Sequence, residues 1–300
     1  YGSKSRRIWT AETDRTSAIA ESIASDKDLT KTLLATCGVA VPKGRMVDSP
    51  AEAWEAAQDI GLPVVVKPDN GNHGRGVSLE LTTQAEVEAA FPVAAAEGSG
   101  VMVERYIRGE EHRLLIVAGQ LVAATRGESI YVSGDGKATI RQLIDSQLNT
   151  DPRRGDAEEF PLETIVLEQE PLIQLLLQRQ KMDGDSVPAA GQKVLIQRNG
   201  NCSIDVTDEV HPATARTACL AARIVGLDIA GIDLVAEDIA KPLAEQRGAI
   251  VEVNAGPSLL MHLKPAIGKP RPVGKAVVDH LFPGTDSCCI PVVGITGTNG

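Results

Sequence analysis

Short apolar segments rich in β-branched residues alternate with capped helical segments along this chain, and no other sequence feature restricts the possible folds as strongly. Six such segments are too short for helices and too apolar for loops. They cover residues 64–66, 101–103, 114–117, 194–196, 232–235 and 249–253. A chain that alternates strands and helices in this way folds as an α/β or α+β protein. We therefore predict mixed sheets covered by helices.

Capping residues delimit three helices in the first third of the chain. Ser25 precedes a segment with one apolar face, which ends at Gly38. Ser49 is followed by a proline at the first helical position of a second segment. Thr83 and Glu86 have the spacing of a capping box in front of a third. Each pattern predicts the start of a helix.

The alternation weakens between residues 133 and 192, where glycine- and proline-containing turns surround one Leu-rich segment at 172–177. Unstructured loops of this length are rare in compact domains, so we predict an inserted helical lobe there. A proline- and glycine-containing stretch just before residue 286 predicts a domain boundary. We expect one domain at residues 1–285, with a smaller subdomain at about 64–130, and a second domain that begins at 286.

Charge and aromatic content argue against several partners. The 300 residues carry a net charge of −10 and 3% aromatic residues, which disfavours binding to nucleic acid. No apolar run approaches the roughly 20 residues that cross a bilayer, and the first residues lack the pattern of a secretion signal. The five scattered cysteines lack zinc-ligand spacing. We expect a cytoplasmic protein without nucleic-acid or membrane partners.

One lysine and the glycine-rich loop after it form a candidate phosphate site. Lys67 ends an apolar run, and Gly71, His73, Gly74 and Gly76 follow it within nine residues. Glycines allow backbone N–H groups to approach an anion closely, and the lysine adds positive charge. The alternative is a flexible hairpin with a solvent-facing lysine, and a glycine cluster taken alone favours that alternative.

Three oxygen-bearing side chains on two apolar segments form a candidate metal site. Glu252 and Asn254 are two residues apart in a predicted strand, so they project from the same face. Asp233 lies in another apolar strand, where an unpaired carboxylate would be costly. Each acid alone could be solvated or paired in a salt bridge. Together with the loop after Lys67, the three residues favour a Mg²⁺ site, because Mg²⁺ prefers oxygen ligands and nucleotide phosphates.

The set of motifs between about residues 26 and 256 resembles the ATP-grasp ligases, in which two lobes clasp ATP. The motifs are Asp26-Lys27, Val66-Lys67-Pro68, Gly71-Asn-His-Gly-Arg-Gly76, Val103-Glu104-Arg105-Tyr106, Glu111, Asp233 and Glu252-Val-Asn254. The resemblance implies ATP and Mg²⁺ as cofactors, with the three oxygen-bearing residues as metal ligands. It also implies that Lys27 and Lys67 contact the phosphates or the adenine region, that Glu104 lies at the adenine-binding hinge, and that Glu111 reaches the ribose hydroxyls.

A more specific resemblance is to the cyanophycin synthetases, which join an ATP-grasp ligase to a Mur-ligase-like domain. The segments that carry it are Tyr1–Thr10, Ser25–Lys31, Gly71–Gly76, Asp205–Asp208, Val253–Pro257 and Gly294–Gly300. The last segment is similar to the start of the Mur-like phosphate loop, which would make Gly297 and Gly300 nucleotide-binding residues. We therefore expect the Mur-like domain to continue beyond Gly300.

This resemblance implies an activity and partners. ATP would phosphorylate the C-terminal carboxylate of a poly-aspartate backbone, the α-amine of L-aspartate would attack the acyl phosphate, and the Mur-like part would add arginine to the new side chain. The partners would be these amino acids and the cyanophycin polymer, in a homo-oligomer. Two alternatives stay open: another ATP-grasp ligase, such as a glutathione-synthesising enzyme, and a nucleotide-binding scaffold without turnover.

Two departures from the related patterns leave roles to assign. Residues 198–204 are shorter than the serine-threonine-glycine-glycine stretch of the relatives. D-alanine ligases have an arginine before the first metal aspartate, whereas Gly231 stands two residues before Asp233 here. Another cation must then stabilise the tetrahedral intermediate. We consider His112, Arg113 and Arg154 the candidate catalytic residues, because a guanidinium can bind a carboxylate or acyl phosphate with two parallel bonds; the alternative is surface charge.

Overall fold

The computed structural model describes residues 5–69, 76–155, 160 and 162–284, and these contain thirteen strands and ten α-helices. The strands are β1 (Ile8–Trp9), β2 (Glu12–Thr13), β3 (Gly44–Val47), β4 (Val64–Pro68), β5 (Ser78–Leu81), β6 (Val101–Arg105), β7 (Glu110–Val117), β8 (Gln120–Ser133), β9 (Arg154–Gly155), β10 (Leu162–Glu163), β11 (Lys193–Asp205), β12 (Ile229–Ala236) and β13 (Ala249–Asn254). The helices are α1 (Ala18–Ser25), α2 (Lys27–Thr36), α3 (Pro50–Ile60), α4 (Gln84–Ala95), α5 (Ile140–Leu143), α6 (Pro171–Arg179), α7 (Pro212–Val225), α8 (Leu243–Gln246), α9 (Leu260–Leu263) and α10 (Val273–Leu281). The predicted mixture of strands and helices is confirmed.

The larger sheet has five antiparallel strands in the order β11-β8-β7-β12-β13. One of its faces packs against α2 and α7, where Leu114, Ile232 and Ala222 belong to one buried cluster. The other face is covered in part by α10, through Val273 and Val277. Because side chains alternate between the faces of a sheet, the remainder of this second face can carry polar groups.

The smaller sheet has four antiparallel strands in the order β3-β6-β4-β5. Helices α3 and α4 cover it and bury an aliphatic core that includes Ala53, Val66 and Val103. The start of α3 is as predicted, with Ser49 accepting a hydrogen bond from the backbone N–H of Glu52 at 3.2 Å. The capping box of Thr83 and Glu86 is also confirmed at the start of α4.

Residues between β8 and β11 form a lobe with its own apolar core. Ile140, Leu143, Ile173 and Leu177 pack there against Val194 from the first half of β11. The predicted Leu-rich helix is α6. The long strands β8 and β11 connect this lobe to the five-stranded sheet, since they remain paired over most of their length.

Several helix boundaries differ from the prediction. The helix that ends near Gly38 is capped by Asp26, not Ser25, because Asp26 accepts a hydrogen bond from the Leu29 N–H at 3.0 Å. A separate helix, α1, ends at Ser25. Helix α4 runs through Pro92 to Ala95, although a proline removes one helical hydrogen bond. The buried Ala94 continues the packed face of α4, which stabilises this last turn.

The sheets also divide the chain differently from the expected subdomain at about 64–130. The four-stranded sheet takes residues 44–105, whereas β7 and β8 belong to the five-stranded sheet. Residues 286–300, the expected start of a second domain, lie outside the described residues. No helix in the described ranges is both long enough and apolar enough to cross a membrane.

Candidate functional site

A row of polar residues crosses all five strands of the larger sheet. The pairing register places Asp205 opposite Thr125, Thr125 opposite Arg113, and Arg113 opposite Asp233. Glu252 on β13 completes the row opposite Asp233. Residues directly opposite each other in antiparallel strands share a face. The sheet therefore collects one hydroxyl and four charged side chains, one from each of its five strands, on one surface.

Asp233 is the buried centre of this row. Its carboxylate accepts two hydrogen bonds from Arg113, at 2.6 Å from Nε and at 2.7 Å from Nη2. The residue is only 2% exposed. Burial raises the pKa of the Asp233 carboxyl, and the negative charge of Glu252 acts in the same direction, against the effect of Arg113. The Arg113 guanidinium therefore compensates a carboxylate that would otherwise be costly to bury.

The two other predicted metal ligands lie beside Asp233. Asn254 Nδ2 donates a hydrogen bond to Asp233 Oδ2 at 3.1 Å, and Glu252 faces Asp233 across the strand pair. Glu252 Oε1 also lies 3.3 Å from Lys27 Nζ, and both of these side chains are about one-third exposed. The structure thus brings together all three residues that the sequence predicts as oxygen ligands.

The chemistry of this donor set fits a hard divalent cation. Carboxylate and amide oxygens are the ligands that Mg²⁺ prefers, and the ion typically completes its shell with water and phosphate oxygens. Among the described residues no group of three or more His, Cys, Asp and Glu side chains could hold a metal ion. Two carboxylates and an amide are therefore a partial shell, which a nucleotide's phosphates could complete.

A second charged group lies on the smaller sheet. The buried Glu104 on β6 pairs with Lys67 Nζ at 2.6 Å and also with the ammonium of Lys31. Burial alone would raise the pKa of Glu104, but the charges of Lys67 and Lys31 hold it below its usual range. Burial and the neighbouring Lys67 lower the pKa of Lys31 to about 8. Glu104 thus stays ionised and fixes two ammonium groups near each other.

Helix α2 links the two charged groups. Lys27 and Lys31 are one helical turn apart and so lie on the same side of the helix. Lys27 reaches Glu252 on the larger sheet and Lys31 reaches Glu104 on the smaller sheet. Sequence reasoning missed Lys31, although its spacing of four residues from Lys27 was a usable signal.

The remaining predicted residues occupy different places. Glu111 precedes Arg113 by two residues on β7, so it is on the same face, and its charge acts on the pKa of Arg113. His112 points to the opposite face, where burial lowers its pKa to about 4. Arg154 lies in the inserted lobe, and its Nη1 donates to the Glu163 carbonyl at 2.6 Å. The structure does not bring His112 or Arg154 into the polar row.

The predicted glycine loop is only partly described. Gly71, His73, Gly74, Gly297 and Gly300 lie outside the described residues. Gly76 has a φ of +71°, and an added Cβ would lie 3.0 Å from Glu97 Cβ. Position 76 therefore favours glycine for both backbone and steric reasons.

Comparison with known proteins identifies the fold. Residues 20–119 match the family described as an ATP-grasp domain. Cyanophycin synthetase of Geminocystis herdmanii is 41% identical over the whole of this chain and 35% of its own length. The glutathione biosynthesis bifunctional protein of Clostridium perfringens is 31% identical over 90% of this chain and 36% of its own length.

Structural comparison agrees with these matches. The crystal structure of a bifunctional glutathione synthetase from Pasteurella multocida superposes with a TM-score of 0.64 and 29% identity, over 94% of this chain and 39% of that one. The predicted ATP-grasp fold is thereby confirmed. The chain spans 35% of the length of the first cyanophycin synthetase it matches, and over its own full length it is similar to that protein.

Proposed function

We propose that this chain is the ATP-grasp part of an ATP-dependent carboxylate–amine ligase that extends a poly-aspartate backbone by one L-aspartate. The observation that carries the proposal is the cluster of Asp233, Glu252 and Asn254 on one sheet, connected through α2 to a lysine-rich cluster on the other. The similarity to cyanophycin synthetases over the whole of this chain supports the choice of substrates. Addition of arginine would belong to the Mur-like part, which the described residues do not include.

Asp233, Glu252 and Asn254 would hold Mg²⁺ in this enzyme. A bound Mg²⁺ would offset the negative charge of the phosphates and orient them. Lys27 supplies positive charge next to Glu252, and Arg113 does so next to Asp233. This arrangement keeps the acidic side chains in position, because unbalanced carboxylates on a buried strand would repel each other.

Lys27, Lys31 and Lys67 would contact the ATP phosphates. All three are paired with carboxylates in the structure, so phosphate oxygens would replace or share those partners. Glu104 would hold Lys31 and Lys67 in place, because one buried carboxylate accepts from both. The proposed hinge and ribose roles of Glu104 and Glu111 remain predictions, as do phosphate contacts from Gly71, His73, Gly74 and Gly76.

The chemistry needs positioning and charge stabilisation and no protein nucleophile. An oxygen of the terminal carboxylate attacks the γ-phosphorus of ATP, the bond to ADP breaks, and an acyl phosphate forms. The α-amine of aspartate then attacks the acyl carbon, phosphate leaves, and one proton is released. Arg113 is the cation best placed to stabilise this second step, because it already adjoins Asp233 at the centre of the row.

A glutathione-type ligase is the second candidate, because two relatives of that kind align with at least 90% of the chain. An ADP-release assay on the full-length protein separates the two. It would contain Mg²⁺, ATP, L-aspartate, L-arginine and a cyanophycin primer, with one component left out at a time. We expect release to fall to background without primer or without aspartate. Release that ignores both and follows glutathione precursors would contradict the proposal.

A further inference from the structure

The short hairpin of β1 and β2 presents an aromatic ring and a carboxylate on one of its faces. Trp9 is 80% exposed, although tryptophan side chains are on average well buried in proteins. The pairing register places Trp9 directly opposite Glu12. Residues opposite each other in an antiparallel pair share a face, with Cβ atoms about 4.5–5.5 Å apart. The hairpin therefore holds an exposed indole ring next to a carboxylate.

The rest of the hairpin is fixed to the larger sheet. Ala11, in the turn, is 1% exposed and belongs to an apolar cluster with residues of β7 and α10. Thr13 and Thr16 donate hydrogen bonds to the two carboxylate oxygens of Asp228, at 2.6 Å and 2.8 Å. These contacts lie on the side of the hairpin that faces the protein. They hold the opposite, exposed face in a defined position.

The exposed face of the hairpin borders the candidate metal site. A Cβ added at Gly256, two residues after the proposed ligand Asn254, would lie 3.1 Å from Glu12 Oε1. The Glu12 side chain thus packs directly against the loop that follows β13. This loop also packs on β12, because a Cβ added at Gly231 would lie 2.8 Å from Pro257 Cβ. The hairpin and the proposed metal ligands are therefore joined through one short loop.

An exposed aromatic ring beside a carboxylate suits a guanidinium as ligand. A guanidinium stacks on the face of a tryptophan ring, and its planar N–H groups can donate two parallel hydrogen bonds to a carboxylate. An ammonium group is a compact, strongly hydrated charge and fits such a flat surface less well. The polymer of the proposed function carries guanidinium groups, because arginine is joined to its aspartate side chains.

We propose that Trp9 and Glu12 form a subsite for an arginine side chain of the polymer near its growing end. The inference rests on the proposed function, since that function supplies a polymer with arginine side chains. The Glu12 carboxylate accepts hydrogen bonds from the guanidinium, and the Trp9 ring covers one face of it. The subsite holds the chain end beside the metal site and takes no part in bond formation.

The test uses full-length protein and two cyanophycin primers of equal length. One primer carries arginine, and the other carries citrulline, in which an uncharged urea group of similar shape replaces the guanidinium. We expect Trp9→Ala and Glu12→Gln each to raise the KM for the arginine primer about threefold to fivefold, with kcat unchanged. In wild type the citrulline primer should have a KM raised at least as much, and neither variant should raise it further.

Ile8→Ala is the matched control. Ile8 is 47% exposed in the same strand, and it pairs with Thr13 on the other face of the hairpin. This variant should leave the KM for both primers unchanged. If Trp9→Ala or Glu12→Gln raises the KM equally for both primers, the inference is overturned, because the effect does not depend on a guanidinium.

A binding measurement separates this inference from the proposed function. The difference in fluorescence between wild type and Trp9→Phe reports on Trp9. We expect the arginine primer to change this signal at a lower concentration than free L-arginine does, and the citrulline primer to leave it unchanged. If the protein extends neither primer but shows this response, the proposed function fails and the subsite stands. A missing response to the arginine primer, or an equal affinity for free L-arginine, would overturn the polymer subsite.

Discussion

At the scale of single residues, the site depends on carboxylates whose charge is balanced by a lysine or arginine nearby. Asp233 has Arg113, Glu252 has Lys27, and Glu104 has two lysines. Of these carboxylates, Asp233 and Glu104 are buried, and a buried ion pair adds little net stability although the loss of one partner is costly. We therefore interpret these ion pairs as a preformed binding site for ligands that carry both positive and negative charge.

Glu252→Gln should reduce turnover strongly and stability weakly. Glutamine keeps the shape of the side chain but removes one of two carboxylates from the proposed metal site, so we expect kcat to fall by about 100-fold or more. The side chain is one-third exposed, so the urea midpoint should change little. Glu237→Gln, at an exposed position, is the matched control. Full ADP release by Glu252→Gln would exclude Glu252 from the metal site.

Lys31 should make the stability of the protein depend on pH in the alkaline range. Its pKa of about 8 in the folded protein lies below the ordinary lysine value of 10.5. Between these two values the unfolded state binds more protons, so stability rises with pH. Lys31→Met should lack this gain. Urea unfolding at pH 7.5, 8.5 and 9.5 measures the free energy of unfolding of both proteins. The difference between wild type and variant should grow in favour of the wild type by up to about 1.4 kcal/mol per pH unit. If the free energy of unfolding changes with pH in the same way in both proteins, the pKa of Lys31 is not lowered.

At the scale of elements, α2 connects the charged groups of the two sheets through Lys27 and Lys31. The first turn of this helix sets the position of both lysines. The cap residue Asp26 accepts a hydrogen bond from the Leu29 N–H, and Lys27 follows it directly. Any change that frays this first turn should move Lys27 away from Glu252. We therefore expect Asp26 to affect the candidate site through the position of Lys27.

Asp26→Ala should destabilise the protein by about 1 kcal/mol and also weaken ADP binding. Asp26→Ser, which can cap the helix, should restore both properties. Ser17→Ala is the matched control, because Ser17 caps α1 in the same way and should cost similar stability without an effect on ADP affinity. Calorimetric titration with Mg²⁺–ADP measures the affinity. Equal ADP affinity in Asp26→Ala and wild type would show that this cap does not control the site.

Elements with a strong local signal were predictable from the sequence. The signals for β4, β6 and the capping box of α4 come from residues that are close together in the sequence. The adjacency of Glu252 and Asn254 follows from the alternation of a strand. The pairing of Arg113 with Asp233 joins residues 120 positions apart, and only the strand order sets it. Much of β8 was missed because Ala123, Ala124 and the polar residues after them give no strand pattern.

At the scale of the whole molecule, two antiparallel sheets and the helix between them create the candidate site. The five-stranded sheet contributes Asp233, Glu252 and Asn254, and the four-stranded sheet contributes Lys67 and Glu104. Neither sheet alone has both the proposed oxygen ligands for a cation and the proposed phosphate-binding lysines. The chain spans 35% of the length of the cyanophycin synthetase it matches.

The most direct measurement is anomalous diffraction from Mn²⁺ in crystals of the full-length protein grown with ADP. The account predicts a peak within about 2.5 Å of oxygens from both Asp233 and Glu252, with density for the ADP phosphates on the side of Lys67. A bound ADP whose Mn²⁺ peak lies away from both carboxylates, with Arg113 still paired to Asp233, would contradict it.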